Sequence, residues 1–172
     1  AEAVKNLKYR ISIVTGGPGT GKTTCLRAIM DVYHKVWPSE HILLMAPTGL
    51  AAKRMAESTG MNSATIHKAC GLVPADNPSG FKAQGECRIC GFVGIDEMSM
   101  VGEHLFAFAV DAVLNSPSTR IVLLGDTDQL APVSRGDVLR DLIECGVIKT
   151  VRLDVNYRQA VSYTHLTLPT KR

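Results

Sequence analysis

Three features of this 172-residue chain predict an α/β fold built on a mostly parallel sheet flanked by helices. Short apolar runs alternate with segments whose apolar residues recur every three or four positions, the pattern of strand–helix–strand units. The polar residues of greatest chemical interest follow directly after those runs, at the edge where open parallel sheets bind ligands. Between the first run and the first helical segment, Gly16-Gly17-Pro18-Gly19-Thr20-Gly21-Lys22-Thr23 has the spacing G-x-x-x-x-G-K-[ST] of a phosphate-binding loop.

The elements follow in order. Ile11-Ser12-Ile13-Val14 reads as a buried strand, and Leu26, Ile29, Met30 and Tyr33 fall at helical spacing after the loop. Ile42-Leu43-Leu44-Met45-Ala46 is a second strand, broken by Pro47-Thr48-Gly49. Thr48 is placed to cap a helix holding Leu50, Ala51, Arg54 and Met55, closed by Gly60. Ser63 precedes a short helix through Ile66, His67 and Ala69. Residues 71–88 carry Gly, Pro, Asn and Ser and read as a surface loop. Phe92-Val93-Gly94-Ile95 is a third strand, ending in Asp96-Glu97. Leu105, Phe106, Ala109, Ala112 and Val113 form a helical stripe. Ile121-Val122-Leu123-Leu124 is a fourth strand, ending in Gly125-Asp126. Val138, Leu139, Leu142 and Ile143 form another stripe, stopped by Gly146, and Thr150-Val151-Arg152-Leu153 is a fifth strand.

The residues at the strand ends suit phosphate hydrolysis. Successive backbone N–H groups of a glycine-rich loop turn inward around a phosphate chain, so Gly17, Pro18, Gly19, Thr20, Gly21, Lys22, Thr23 and Thr24 are the expected nucleotide contacts. Lys22 supplies a point charge for the β/γ phosphates, and Thr23 a hydroxyl for Mg²⁺. Asp96 is placed to hold Mg²⁺ from the other side, and Glu97 to orient or deprotonate an attacking water. Gln129 is suited to hydrogen-bond the γ-phosphate or that water. Arg158 offers a planar fork for phosphate oxygens.

Composition sets bounds. The chain is 45% hydrophobic and 20% charged, with length for one full domain. No apolar run approaches the ~18 residues of a membrane span, and no signal-peptide pattern opens the chain. Five scattered cysteines fit a reducing cytoplasm better than a disulfide framework. Cys87-x-x-Cys90 has metal-ligand spacing, but no second pair answers it. Net charge is +3 and aromatics are 5%, so neither argues nucleic-acid binding by itself.

The ends are unusual. Ala1 opens the chain without Met, and Glu2-Ala3-Val4 reads as the middle of a helix. Val161-Ser162-Tyr163-Thr164-His165-Leu166-Thr167-Leu168-Pro169-Thr170 resembles the translated read-through of a transposon-type sequencing adapter. Residues 161–172 are therefore expected to be a non-native tail behind a domain spanning 1–160. Without Lys171 and Arg172, the nineteen basic residues fall to seventeen against sixteen acidic, a net charge of +1.

Several motifs in one order resemble those of superfamily 1B DNA helicases, most closely the RecD-like group. Gly17-Pro18-Gly19-Thr20-Gly21-Lys22-Thr23-Thr24 is similar to motif I, and Ala46-Pro47-Thr48-Gly49-Leu50-Ala51-Ala52 to motif Ia. Ala64-Thr65-Ile66-His67 is similar to the DNA-contact motif that follows. Ile95-Asp96-Glu97-Met98-Ser99-Met100 resembles motif II, and Leu124-Gly125-Asp126-Thr127-Asp128-Gln129-Leu130-Ala131-Pro132-Val133 resembles motif III. Gly136-Asp137-Val138-Leu139-Arg140-Asp141-Leu142-Ile143 favours the RecD-like over the Pif1-like branch. Leu153 through Asn156-Tyr157-Arg158-Gln159 resembles motif IV.

The resemblance covers about residues 5–160. It implies the first of two RecA-like motor domains of an ATP-dependent DNA helicase acting in DNA repair or recombination. ATP and Mg²⁺ are served by Lys22, Thr23, Asp96, Glu97, Gln129 and Arg158. Single-stranded DNA lies along Pro47, Thr48, Thr65 and His67, whose types bind phosphate without reading sequence. Movement 5′-to-3′ is implied by the resemblance alone; a cytoplasmic protein is expected from the cysteines, no membrane partner from the apolar runs, and a monomer is expected besides. The family's adenine-contacting glutamine lies upstream of this chain's start, and the second motor domain lies beyond Gln159. The segment alone is thus expected to bind ATP–Mg²⁺ weakly and to unwind nothing. Two other readings share the phosphate loop. A small-molecule phosphotransferase leaves residues 46–52, 64–67 and 124–133 unexplained together. A non-catalytic DNA-binding module leaves the intact Lys22, Thr23, Asp96 and Glu97 unexplained.

Overall fold

Six strands form one parallel sheet in the computed structural model, which describes residues 6–77, 79–84, 90–114, 117–129, 132 and 135–155. In chain order the elements are β1 (Ile11–Gly16), α1 (Lys22–Val36), β2 (Ile42–Ala46), α2 (Gly49–Thr59), β3 (Ser63–Thr65), α3 (Ile66–Ala69), β4 (Leu72–Pro74), β5 (Phe81–Ala83), β6 (Phe92–Ile95), α4 (Glu103–Val113), β7 (Arg120–Gly125), α5 (Val138–Glu144) and β8 (Lys149–Leu153). The strand order is β3-β2-β6-β7-β1-β8, and every pairing in this sheet is parallel.

The sheet is covered on both faces, which is why its strands read as unbroken apolar runs. Side chains alternate between faces along each strand. Ile13, Met45, Val93, Ile95, Ile121 and Leu123 pack on one side with Ile66, Ala109, Val113 and Leu139. Val14, Leu44, Phe92, Val122 and Leu124 pack on the other with Leu26, Ile29, Met30 and Tyr33 of α1 and Met55 of α2. The four residues expected on the buried stripe of α1 are its four buried residues.

Helix ends follow local chemistry. Thr48 caps α2, its hydroxyl oxygen accepting the Ala51 N–H at 3.2 Å, and Gly60 closes the helix at φ 74°. Leu50, Ala51, Arg54 and Met55 all fall in α2, which buries Ala52, Met55 and Thr59 and leaves Leu50 61% exposed. Ser63 begins the edge strand β3, and the short helix α3 follows, capped by Thr65, whose hydroxyl oxygen accepts the Lys68 N–H at 3.2 Å. One expectation is corrected. Within residues 71–88, β4 and β5 pair as a small antiparallel hairpin whose Phe81 packs on the main core. Its turn residues were legible, but three-residue strands are too short for alternation to register.

Arg158, the segment Asn156–Gln159, the tail 161–172, Cys87, Leu130, Ala131 and Val133 lie outside the described residues. No helix among the described residues is long and apolar enough to cross a membrane.

Candidate functional site

The loop between β1 and α1 is shaped to receive an anion. Gly19 and Gly21 take φ of 79° and 88°, which side-chain-bearing residues rarely adopt, and so turn successive N–H groups to one side. No side chain caps α1 at Gly21. The first-turn N–H groups of this fifteen-residue helix are therefore open to a ligand, with the helix dipole behind them. Thr20 closes the loop, its hydroxyl donating to the Gly17 carbonyl at 2.8 Å. The Lys22 ammonium lies across the same turn, donating to the carbonyls of Gly16 at 2.6 Å and Gly17 at 3.1 Å.

Opposite the loop stands the acidic pair at the end of β6. Asp96 continues the sheet, its N–H donating to the Met45 carbonyl at 3.0 Å. Its Oδ1 accepts the Glu97 N–H at 2.8 Å. Burial raises the Asp96 carboxyl above its ordinary range. The Glu97 hydrogen bond and the Lys22 charge pull it back, while the Glu97 charge pushes it further up. Glu97 is the single non-glycine residue at positive φ among the described residues, at φ 55° and ψ 42°. Such backbone costs about 1–2 kcal/mol and clusters at functional sites. It lets the chain leave β6 sharply into the turn Met98–Met100.

Gln129, after β7, completes this group. Its Oε1 accepts the Ser99 hydroxyl at 3.3 Å. Pro18 through Thr24, Asp96, Glu97 and Gln129 line one cleft of about 1290 Å³. Strands β1, β6 and β7 are neighbours in the sheet, so their C-terminal ends deliver these residues to one place. Ala51, Arg54, Met55 and Ser58 of α2 form a wall of the same cleft. Sequence reading did not assign that wall to the site, although its spacing of three and four marks one helix face.

The chemistry of the donors suits a nucleotide. Open N–H groups and an ammonium match phosphate oxygens, and the Thr23 hydroxyl with the Asp96 carboxylate offers hard oxygen ligands for Mg²⁺. Among the described residues no cluster of three or more His, Cys, Asp or Glu could hold a metal by itself. Cys25 and Cys145 are free thiols. Cys25 lines the cleft, and burial pushes its thiol up, away from reactive thiolate.

Pro47, Thr48, Thr65 and His67 lie apart from this cleft, at the ends of β2 and β3, which pair side by side. Both threonine oxygens accept cap hydrogen bonds, so each hydroxyl proton stays free to donate elsewhere. His67 packs edge-on against Phe81 of the hairpin, with ring centroids 5.3 Å apart.

The AAA domain family AAA_30 matches residues 1–168. The chain belongs to this family. Within the AAA domain family, this chain is similar to helicases in particular. It is 38% identical over 153 residues to an ATP-dependent RecD2 DNA helicase of Deinococcus radiodurans, covering 88% of this chain and 20% of that protein. It is 37% identical to the RecBCD enzyme subunit RecD of Mycolicibacterium smegmatis, covering 84% of this chain and 29% of that subunit. Among solved structures, the Pif1 helicase from Candida albicans superposes with a TM-score of 0.62 at 26% identity, over 92% of this chain and 39% of that one. A Bacteroides Pif1 bound to single-stranded DNA superposes at 0.61 and 19% identity, over 91% of this chain and 41% of that one, which establishes the shared RecA-like fold. This AAA domain thus spans under a third of the length of these two curated relatives.

Proposed function

We propose that this chain is the first RecA-like motor domain of an ATP-dependent DNA helicase of the RecD-like group, within residues 1–160. The observation that carries the reading is the convergence of Pro18–Thr24, Asp96, Glu97 and Gln129 on one cleft. Threonines with a spare hydroxyl proton stand at the neighbouring strand ends.

ATP binds with its phosphate chain against the open N–H groups of α1, and Lys22 neutralises the β/γ oxygens. Thr23 and Asp96 hold Mg²⁺, which supplies charge stabilisation to the phosphates when bound. Glu97 orients the attacking water and accepts its proton. Gln129 hydrogen-bonds the γ-phosphate or that water, and Arg158 offsets charge that builds up during transfer. Single-stranded DNA runs over Pro47, Thr48, Thr65 and His67, contacted through its phosphates. A second RecA-like domain closes the cleft, and the whole moves 5′-to-3′.

The test is ATP turnover by the complete polypeptide carrying this segment, with and without single-stranded DNA. Stimulation by DNA, lost in Lys22→Ala, supports the reading. Turnover indifferent to DNA overturns it in favour of a small-molecule phosphotransferase. Unwinding of duplexes with a 5′ or a 3′ overhang tests the direction.

A further inference from the structure

We infer that Ser99 is a positioning residue for Gln129, holding that side chain in the orientation hydrolysis requires; the inference rests on the hydrolytic role proposed for Gln129. Gln129 is exposed and sits on a turn, so on its own its long side chain would sample several rotamers. Ser99 is only 4% exposed and lies in the tight turn that follows Glu97. That turn is fixed by Met98, fully buried beneath it, and by hydrogen bonds from Met100 N–H to Glu97 O at 3.0 Å and Val101 N–H to Met98 O at 3.1 Å. The Ser99 hydroxyl donates to Gln129 Oε1 at 3.3 Å. With its oxygen engaged, the amide presents its NH₂, the half that donates to a phosphate or water oxygen.

The approach of the two turns is built in. A Cβ at Gly125 would lie 2.5 Å from Leu139 Cδ2 and 3.2 Å from Met98 Cβ, so the absence of a side chain there lets the Met98–Met100 turn pack closely on the end of β7. The Gln129 turn is held in place as well. Asp126, 2% exposed, accepts the Asp128 N–H at 3.0 Å, and Arg140 of α5 donates to the Thr127 carbonyl at 3.3 Å. The bond therefore ties the segment bearing Glu97 to the segment bearing Gln129.

The experiment is a double-mutant cycle in the complete polypeptide, reading DNA-stimulated ATP turnover. Ser99→Ala is expected to lower kcat by on the order of tenfold, with KM for ATP and the melting temperature little changed. In a Gln129→Ala background the same substitution is expected to add nothing. Should Ser99→Ala fail to fold, Ser99→Cys replaces it, keeping the volume with a weaker donor. Normal turnover in the Ser99 variant beside slow turnover in Gln129→Ala overturns the inference alone. So does an equal loss from Ser99→Ala in both backgrounds. Normal turnover in Gln129→Ala removes the role of Gln129 and the inference with it.

Discussion

The ammonium of Lys22 donates to the carbonyl of Gly16 at 2.6 Å, bridging the end of β1 to the first residue of α1. Lys22 is thus both a brace of the loop and the charge aimed at the phosphates. Lys22→Met is expected to weaken binding of a fluorescent ATP analogue by about 10- to 100-fold, the worth of a charge-assisted hydrogen bond. Its melting temperature should fall little, because the ammonium is half-exposed. A titration giving unchanged affinity would remove Lys22 from the nucleotide site.

Asp96 trades stability for chemistry. Its carboxyl is raised above the ordinary 3.8 of an aspartate, mainly by burial. A raised carboxyl favours the neutral form in the fold, so ionisation costs stability as pH climbs through the raised value. Asp96→Asn keeps the acceptor for the Glu97 N–H and removes the buried charge. Its melting temperature, measured without Mg²⁺, should exceed the wild type by a few degrees at pH 8. The gain should vanish below pH 3.8, where both side chains are neutral. Equal melting curves at both pH values would contradict this. ATP hydrolysis should be lost throughout.

Glu97 is held at φ 55°. Asparagine tolerates that backbone better than glutamate does. Glu97→Asn is therefore expected to raise unfolding stability by up to about 1 kcal/mol in chemical denaturation. ATP turnover should fall by about 100-fold or more through loss of the base. A variant that is both less stable and fully active would separate the strain from the catalysis proposed for it.

The capping threonines can be split into structure and binding. Aspartate caps a helix as well as threonine but brings negative charge and no proton to donate. Thr48→Asp and Thr65→Asp should melt like the wild type in this chain and weaken single-stranded DNA binding by the complete polypeptide about tenfold each, more at low salt. Thr48→Ala should instead cost about 1 kcal/mol of stability. DNA affinity that survives both aspartates would move the path elsewhere.

Much of the site was legible because its signals are local. The phosphate loop needs glycines at set positions, a lysine and a threonine within eight residues, and the backbone there adopts the positive φ such spacing implies. Thr48 and Gly60 were readable as the two ends of α2 for the same reason, since each acts on its own turn. The hairpin of β4 and β5 was not, because three-residue strands carry too little alternation to be told from a loop. Which face of α2 is buried was decided by its packing, which selected Ala52, Met55 and Thr59 and left Leu50 exposed.

The amino-acid sequence by itself determined the alternation of strands and helices, the phosphate loop, and the acidic and amide groups waiting at strand ends. Each depends on periodicity or on backbone preferences within a few residues. Only the tertiary structure decided that β6 lies between β2 and β7, with β1 next in the row. That order brings Ser99 within 3.3 Å of Gln129, thirty positions away in the chain. Contacts at such separation depend on which buried faces fit one another, and no residue in either segment states its distant partner.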